Sequence, residues 1–182
     1  MSPLQSLPAH SLEQISDEEF WDYARERAHV VSRDSSRAED DQDQYLELKL
    51  SSGSCLFPLN AILEVVPPPH RLARLPVIPT WMHGVAAWRG ETIAVIDLDL
   101  YLSDTGISSP DGILLVANHA ELTVGLLVPG IGPIITVQLE QMLPSTTQAG
   151  MAKGIYAGAS VLDIPALLAG IVQQIERAAL YG

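Results

Sequence analysis

The hydrophobic pattern of the chain changes abruptly at Tyr45. Leu46, Leu48 and Leu50 alternate with Glu47 and Lys49, a period of two that predicts a strand with one face buried. Ser51-Ser52-Gly53-Ser54 is a turn and Cys55-Leu56-Phe57 restarts extended chain, so this segment predicts a hairpin. Asn60 to Val66 is a short apolar segment closed by Pro67-Pro68-Pro69, a stiff connector that cannot donate to a ladder. Further strands are predicted at 84–88, 92–98, 113–118, 121–128 and 132–138, with Gly or Pro at most of their boundaries. After Pro165, residues Leu167, Leu168, Ile171, Val172, Ile175, Ala178 and Ala179 recur at helical spacing and predict an amphipathic helix. Many short strands with two or three helices predict a mainly β chain of barrel or sandwich type.

Ahead of Tyr45 the texture is different. Ser16 followed by Asp17, Glu18 and Glu19 resembles a capping box with acids at the positive end of a helix dipole. Phe20, Tyr23, Ala24, Arg27 and Val31 then recur at helical spacing, predicting a helix over 16–32. Ser32 to Gln44 is charged and nearly free of apolar residues, the composition of a flexible linker. Charge follows the same division: residues 1–44 hold 11 acids against 4 arginines, and residues 45–182 hold 11 acids against 6 basic groups. The chain is therefore expected to consist of an acidic N-terminal extension, 1–42, and a folded domain, 43–182.

An internal repeat is visible. Trp81-Met82-His83-Gly84-Val85-Ala86-Ala87 leads to Gly90 and then to Ala94-Val95-Ile96-Asp97-Leu98. Met151-Ala152-Lys153-Gly154-Ile155-Tyr156-Ala157 leads to Gly158 and then to Ser160-Val161-Leu162-Asp163-Ile164. In both, a glycine precedes a β-branched residue, a second glycine makes a turn, and the next strand ends in Val, one apolar residue, Asp and an aliphatic. Two related halves are implied, each a small curled sheet with the same hairpin.

Composition narrows the function. The 182 residues are 47% apolar and only 5% aromatic, enough for one mostly aliphatic core. A net charge of −12 argues against nucleic acid or anionic lipid as a partner. No apolar run approaches the roughly eighteen residues of a membrane span. The single cysteine, Cys55, fits a reducing compartment, so a cytoplasmic location is expected. Catalytic signals are scarce. His10, His29, His70, His83 and His119 are scattered without metal-ligand spacing, and His83 and His119 read as turn or surface residues. Asp97 and Asp99, two apart on a strand-like segment, would share a face and could do acid–base work or bind a hard cation, but capping or strand-end roles fit them better. Phosphate-loop, dinucleotide and nucleophile-elbow patterns are missing. Cys55, in an apolar strand without a nearby basic group, reads as an inert core thiol. Neither a catalytic residue, a cofactor nor a metal is expected. Arg89 is the only Lys or Arg between Arg74 and Lys153, and it sits on a hairpin between Trp88 and Gly90. A lone turn arginine is commonly just solvated; the sharper reading is an interface anchor, since Trp and Arg are enriched at binding hot spots.

The run Arg74-Leu75-Pro76-Val77-Ile78-Pro79-Thr80-Trp81-Met82-His83-Gly84-Val85-Ala86-Ala87-Trp88-Arg89-Gly90-Glu91-Thr92-Ile93-Ala94-Val95-Ile96-Asp97-Leu98 resembles the central signature of the CheW-like chemotaxis adaptor domain. With Ile62-Leu63-Glu64-Val65 and the degenerate second copy at 154–168, the resemblance extends over 45–180. It implies two SH3-like five-stranded β-barrels related by pseudo-symmetry, with a C-terminal helix, and a non-enzymatic scaffold that couples the cytoplasmic tips of methyl-accepting chemoreceptors to the regulatory domain of a CheA-type histidine kinase. By the same resemblance Arg89 lies at a receptor-binding groove between the barrels, with Gly84, Val85, Trp88 and Gly90 beside it. The kinase contact is assigned to Ile62, Val65 and Val66. Departures from the family pattern are Ala87-Trp88 in place of Asn-Leu, Ala94 in place of proline, and the acidic extension. They suggest the PilI-like subtype, which serves type IV pili and twitching or phototactic movement. Two alternatives remain open at this level: a stand-alone regulatory domain acting as competitor or array spacer, and an enzyme using Asp97 and Asp99.

Overall fold

The computed structural model describes residues 44–103, 112–145 and 150–181. The helix expected at 16–32 and the linker after it lie outside the described residues. The described segments all fall within one compact unit, Gln42–Gly182.

Chain order is β1 (Gln44–Leu50), β2 (Gly53–Pro58), a 3-10 turn at Leu59–Ala61, β3 (Ile62–Val66), β4 (Met82–Trp88), β5 (Glu91–Asp97) and a short helix α1 (Leu98–Leu102). It continues with β6 (Ile113–His119), β7 (Leu122–Val128), β8 (Gly130–Thr136), a 3-10 turn at Leu139–Gln141, β9 (Leu143–Pro144), β10 (Ala152–Tyr156), β11 (Ala159–Leu162) and α2 (Ile164–Tyr181). Two sheets result, a six-stranded one in the order β8-β1-β2-β11-β10-β9 and a five-stranded one in the order β3-β6-β7-β5-β4.

The two sheets are copies of each other. Each has an antiparallel hairpin at its centre, β1-β2 or β6-β7, whose second strand pairs in parallel with β11 or β5. The outer strands correspond in register: Val65 pairs with Leu115 and Val66 with Leu114, as Ile134 pairs with Leu46 and Ile135 with Tyr45. Even the two-residue strand β9, which extends one sheet beyond the expected five strands, has a counterpart. Ala73 bridges to Val85 where Leu143 pairs with Ile155. The repeat therefore runs through the whole described unit, with β1–β5 as one half and β6–β11 as the other. Each half contributes its opening hairpin to the sheet completed by the other half.

Both sheets curl. β3 and β4 are opposite edges of the five-stranded sheet, yet Glu64 on β3 accepts a hydrogen bond of 2.8 Å from the indole N–H of Trp88 on β4. Three apolar clusters follow from this shape. Ala86, Ile93, Val95, Leu114, Val116 and Leu127 fill one barrel, and Tyr45, Leu56, Val137, Ala159 and Val161 fill the other. A larger cluster on the opposite strand faces includes Leu48, Phe57, Ile96, Leu115, Leu126, Leu167 and Ile171. Strands between two cores are apolar on both faces: Leu114 and Val116 point into the barrel, Leu115 and Ala117 into the central cluster. That is why Ile113–Ala117 reads as a continuous apolar run instead of an alternation. Fully burying each such Leu or Phe stabilises by about 1.5–3 kcal/mol.

Asp97 and Asp99 do not share a strand face. The chain leaves β5 at Asp97 and turns helical, so a spacing of two no longer places side chains together. Asp97 Oδ1 accepts from Leu100 N at 3.0 Å and caps α1. Asp99, 1% exposed, accepts from Ser51 N and from Ser51 Oγ at 2.9 Å. His83 is a strand residue, not a turn residue, and its Nε2 lies 3.4 Å from Asp97 Oδ2.

Candidate functional site

The β4-β5 hairpin closes through Arg89 and Gly90, whose φ values of 47° and 85° are both positive, as a type I′ turn requires. A non-glycine residue in the left-handed region costs roughly 1–2 kcal/mol. The conformation follows from the turn, not from the arginine, since Ala157 and Gly158 take φ values of 49° and 85° at the equivalent β10-β11 hairpin. What distinguishes the first hairpin is its side chains.

Arg89 places its Nε 3.2 Å from Glu64 Oε2, and its guanidinium carbon lies 5.1 Å from the centre of the Trp88 ring. Glu64 Oε2 thus receives the Trp88 N–H and the Arg89 Nε–H together. The Trp88 hydrogen bond, then the Arg89 hydrogen bond and charge, hold the Glu64 carboxyl below its ordinary titration range. The Arg89 side chain remains 66% exposed, so it is oriented at one nitrogen and open at the others. Beside this triad runs a groove of about 340 Å³, lined by Val66 at the end of β3, by Pro67 and Pro69 after it, by Ala86, Ala87 and Trp88 of β4, and by Ile93 and Leu114.

The residues expected to bind partners separate into two groups. Arg89, Trp88 and Gly90 lie at the hairpin tip, joined there by Val66 and, through Glu64, by the strand that carries Ile62 and Val65. Gly84 and Val85 lie elsewhere on β4. Val85 exchanges two backbone hydrogen bonds of 2.9 Å with Ala73 and packs on the central cluster. On β3, Leu63 and Val65 are 52% and 44% exposed, an apolar pair on a strand that among the described residues is paired on one side only. Glu64 was missed from sequence, although it is the only Asp, Glu, Lys or Arg between Lys49 and Arg71. A lone charge in an apolar stretch is a signal for a fixed partner.

Among the described residues no three His, Cys, Asp or Glu side chains converge to hold a metal ion. Cys55 is buried, and burial, followed by the charges of Asp99 and Glu47, pushes its thiol up to about 12. Asp97 and Asp99, the acids considered for catalysis, are both engaged by donors of the protein.

Comparison with known proteins agrees with this geometry. The chain is 26% identical over 76 residues to a chemotaxis protein CheW of Klebsiella aerogenes, a match covering 41% of this chain and 46% of that relative's length. The crystal structure of the scaffolding protein TtCheW from Thermoanaerobacter tengcongensis superposes with a TM-score of 0.56 at 19% identity, over 66% of this chain and 87% of that one. The family model of the CheW-like domain matches residues 44–171, from the first residue of β1 into α2. With the duplicated, hairpin-exchanged sheets and the Gly84–Leu98 signature, this establishes that the chain belongs to the CheW-like domain family.

Proposed function

We propose that the chain is a chemosensory adaptor that couples the cytoplasmic tips of methyl-accepting chemoreceptors to the regulatory domain of a CheA-type histidine kinase, works in the cytoplasm, and catalyses no reaction. Membership of the CheW-like family and the likeness to a scaffolding protein support the scaffold role. The observation that carries the reading is the state of Arg89. It is held at Nε by Glu64, lies over Trp88, and is otherwise open, on a chain of net charge −12. A guanidinium held at one nitrogen and otherwise exposed is suited to a partner carboxylate. The receptor tip is assigned to Arg89, Trp88 and Gly90, with Gly84 and Val85 supporting their strand. The kinase domain is assigned to β3, the strand of Ile62, Val65 and Val66; Val65 is exposed there beside Leu63, while Ile62 packs against the central cluster and Val66 lines the groove. A type IV pilus pathway is the finer assignment, resting on Ala87-Trp88, Ala94 and the acidic extension.

Calorimetric titration tests the reading. The chain is expected to bind a receptor-tip fragment and a CheA-type regulatory domain from the same genome with micromolar affinity. Arg89→Glu removes the donor fork and adds repulsion, and is expected to weaken the receptor tip about tenfold or more in a folded protein. Unchanged receptor binding would remove Arg89 from the site, and failure to bind either fragment would overturn the coupling role.

A further inference from the structure

We infer that the mouth of the second barrel, at Glu47, is a docking site for an arginine side chain of a partner protein, which completes there the arrangement that Trp88 and Arg89 complete in the first barrel. The site is separate from the Arg89 turn and does not depend on the receptor assignment.

The two halves place one carboxylate each at the same point of the sheet. On the five-stranded sheet, Glu64 of the edge strand β3 pairs with Val116 of β6. On the six-stranded sheet the corresponding place lies where Glu47 of β1 faces Gly132 and Pro133 of the edge strand β8, between the pairs Leu46–Ile134 and Leu48–Ile131. The acid stands on the inner strand here, and a glycine makes room for it. A Cβ placed on Gly132 would collide with Glu47 Oε2, so the carboxylate lies across the backbone of β8. Leu56, which pairs with Glu47, belongs to the cluster that fills the second barrel.

What differs between the halves is the hairpin beside the acid. Gly84 and Gly90 are six positions apart, Gly154 and Gly158 only four, and the returning arm to Asp163 is two residues shorter than the arm to Asp97. Ala86 and Tyr156 each stand two residues past the first glycine; Ala86 belongs to the first barrel's cluster and Tyr156 packs on the second's. Beyond this point the first hairpin carries Trp88 and Arg89 to Glu64. The second turns at once through Ala157 and Gly158. Glu47 is consequently left with neither a hydrogen bond nor an ion pair among the described residues. A half-buried carboxylate has given up hydration, and without a donor in exchange it carries a cost that an incoming donor removes.

Size and chemistry identify the occupant. The groove at Glu47 has a volume of about 280 Å³, under the roughly 300–1,000 Å³ of small-molecule sites, which suits one inserted side chain. Leu56, Ile135 and Ala159 offer apolar surface to a methylene stem, while the Tyr156 ring and the Glu47 carboxylate suit a guanidinium head. A guanidinium meets a carboxylate through two parallel N–H donors, which the point charge of an ammonium cannot do. No Lys or Arg lines the groove, and with 10 basic groups against 22 acids a second copy of the chain is a poor source of one.

NMR titration of the isotope-labelled full chain tests the site, with acetyl-Gly-Arg-Gly-amide and its lysine and citrulline counterparts as probes. The arginine peptide is expected to shift the Glu47 carboxyl carbon and the amides of Gly132, Tyr156 and Ala157. Its affinity is expected to fall about fivefold or more in Glu47→Gln, which keeps the shape and removes the charge. Glu47→Asp, which keeps the charge on a shorter stem, is expected to lie between the two. The lysine peptide should bind more weakly, and the neutral citrulline peptide should leave these signals in place. Equal response of Glu47→Gln and the unchanged chain, or equal shifts from the citrulline peptide, overturns the site. Equal binding of the lysine peptide overturns its selection of arginine. Equal shifts from guanidinium chloride at the same concentration reduce the site to an ion contact and overturn docking. Sedimentation of the chain alone covers the remaining occupant: a dimer lost in both Glu47→Gln and Arg89→Ala would seat a second copy in the groove and overturn the foreign partner.

Discussion

Gly84 and Gly90 both belong to the family signature, and the structure gives them unequal tasks. Gly84 has a φ of +133°, and a Cβ placed on it would sit 2.4 Å from the carbonyl oxygen of Ala73 and 3.1 Å from its carbonyl carbon. In Gly84→Ala the Ala73 segment must retreat by about 1 Å to restore ordinary contact. That movement breaks the two 2.9 Å backbone hydrogen bonds between Ala73 and Val85. Each such bond contributes about 0.5–1.5 kcal/mol net. The unfavourable φ adds about 1–3 kcal/mol, for a total near 4 kcal/mol. Gly90, at φ +85°, has nothing within 4 Å of its Cβ position, so Gly90→Ala carries the conformational term alone, about 1–2 kcal/mol. Against a typical domain stability of about 5–15 kcal/mol, the first change leaves a marginal protein and the second a sound one. Urea denaturation followed by circular dichroism separates them, with the slope checked for constancy so that midpoints can be compared. Gly154→Ala should carry the steric cost without the conformational one, and so fall below Gly84→Ala, since its Cβ would meet the Leu143 carbonyl oxygen and Met142 Cγ at 2.6 Å while its φ is not positive. If Gly84→Ala costs no more than Gly90→Ala, the close backbone crossing at Ala73 is refuted.

The Glu64 carboxyl should titrate below its ordinary value, chiefly because the Trp88 N–H and then Arg89 favour its charged form. The triad is thus intact above the ordinary carboxylate range and is lost as pH falls through the lowered titration point; carboxyl carbon NMR should show that point moving up in Trp88→Phe, and an unmoved value would remove Trp88 as the cause. Cys55, pushed up to about 12 chiefly by burial, should resist a thiol reagent at pH 8 in the folded protein and react readily in urea. Keeping this thiol neutral contributes stability that is fully present below the ordinary value of 9.0 and is lost as pH rises towards about 12. Rapid labelling of the native protein would contradict its burial.

Much of the fold was legible because local chemistry repeats with it. Gly84 and Gly154 each stand at a register shift, and Asp97 and Asp163 each accept from a backbone N–H of the helix that follows, Leu100 or Ala166. Such positions admit few residue types, so they stay recognisable in both copies. The rest of the repeat escaped notice because its equivalent positions need only be apolar: Leu46 and Leu115, or Val65 and Ile134, carry no distinguishing chemistry. Helix α1 was missed because five residues are too few to display a helical period. At the site, Arg89 and Trp88 could be singled out by type and isolation. Their link to Glu64 could not, because it crosses from one sheet edge to the other and depends on how far the sheet curls.

The exchange of hairpins has a consequence for the site. β3 comes from the first half of the chain, but it pairs with β6 from the second, and no strand of its own half lies beside it. β5, which carries the hairpin of Arg89, has β7 as its other neighbour, again from the second half. Leu114 of β6 also lines the groove, between residues of β3 and β4. The distance from Glu64 to Trp88 and Arg89 is therefore set by the β6-β7 hairpin that spans the sheet between them. Repacking that hairpin would change the curl and with it the closure of the triad, without touching any residue of the signature. Duplication has thus made the site of one half a property of both.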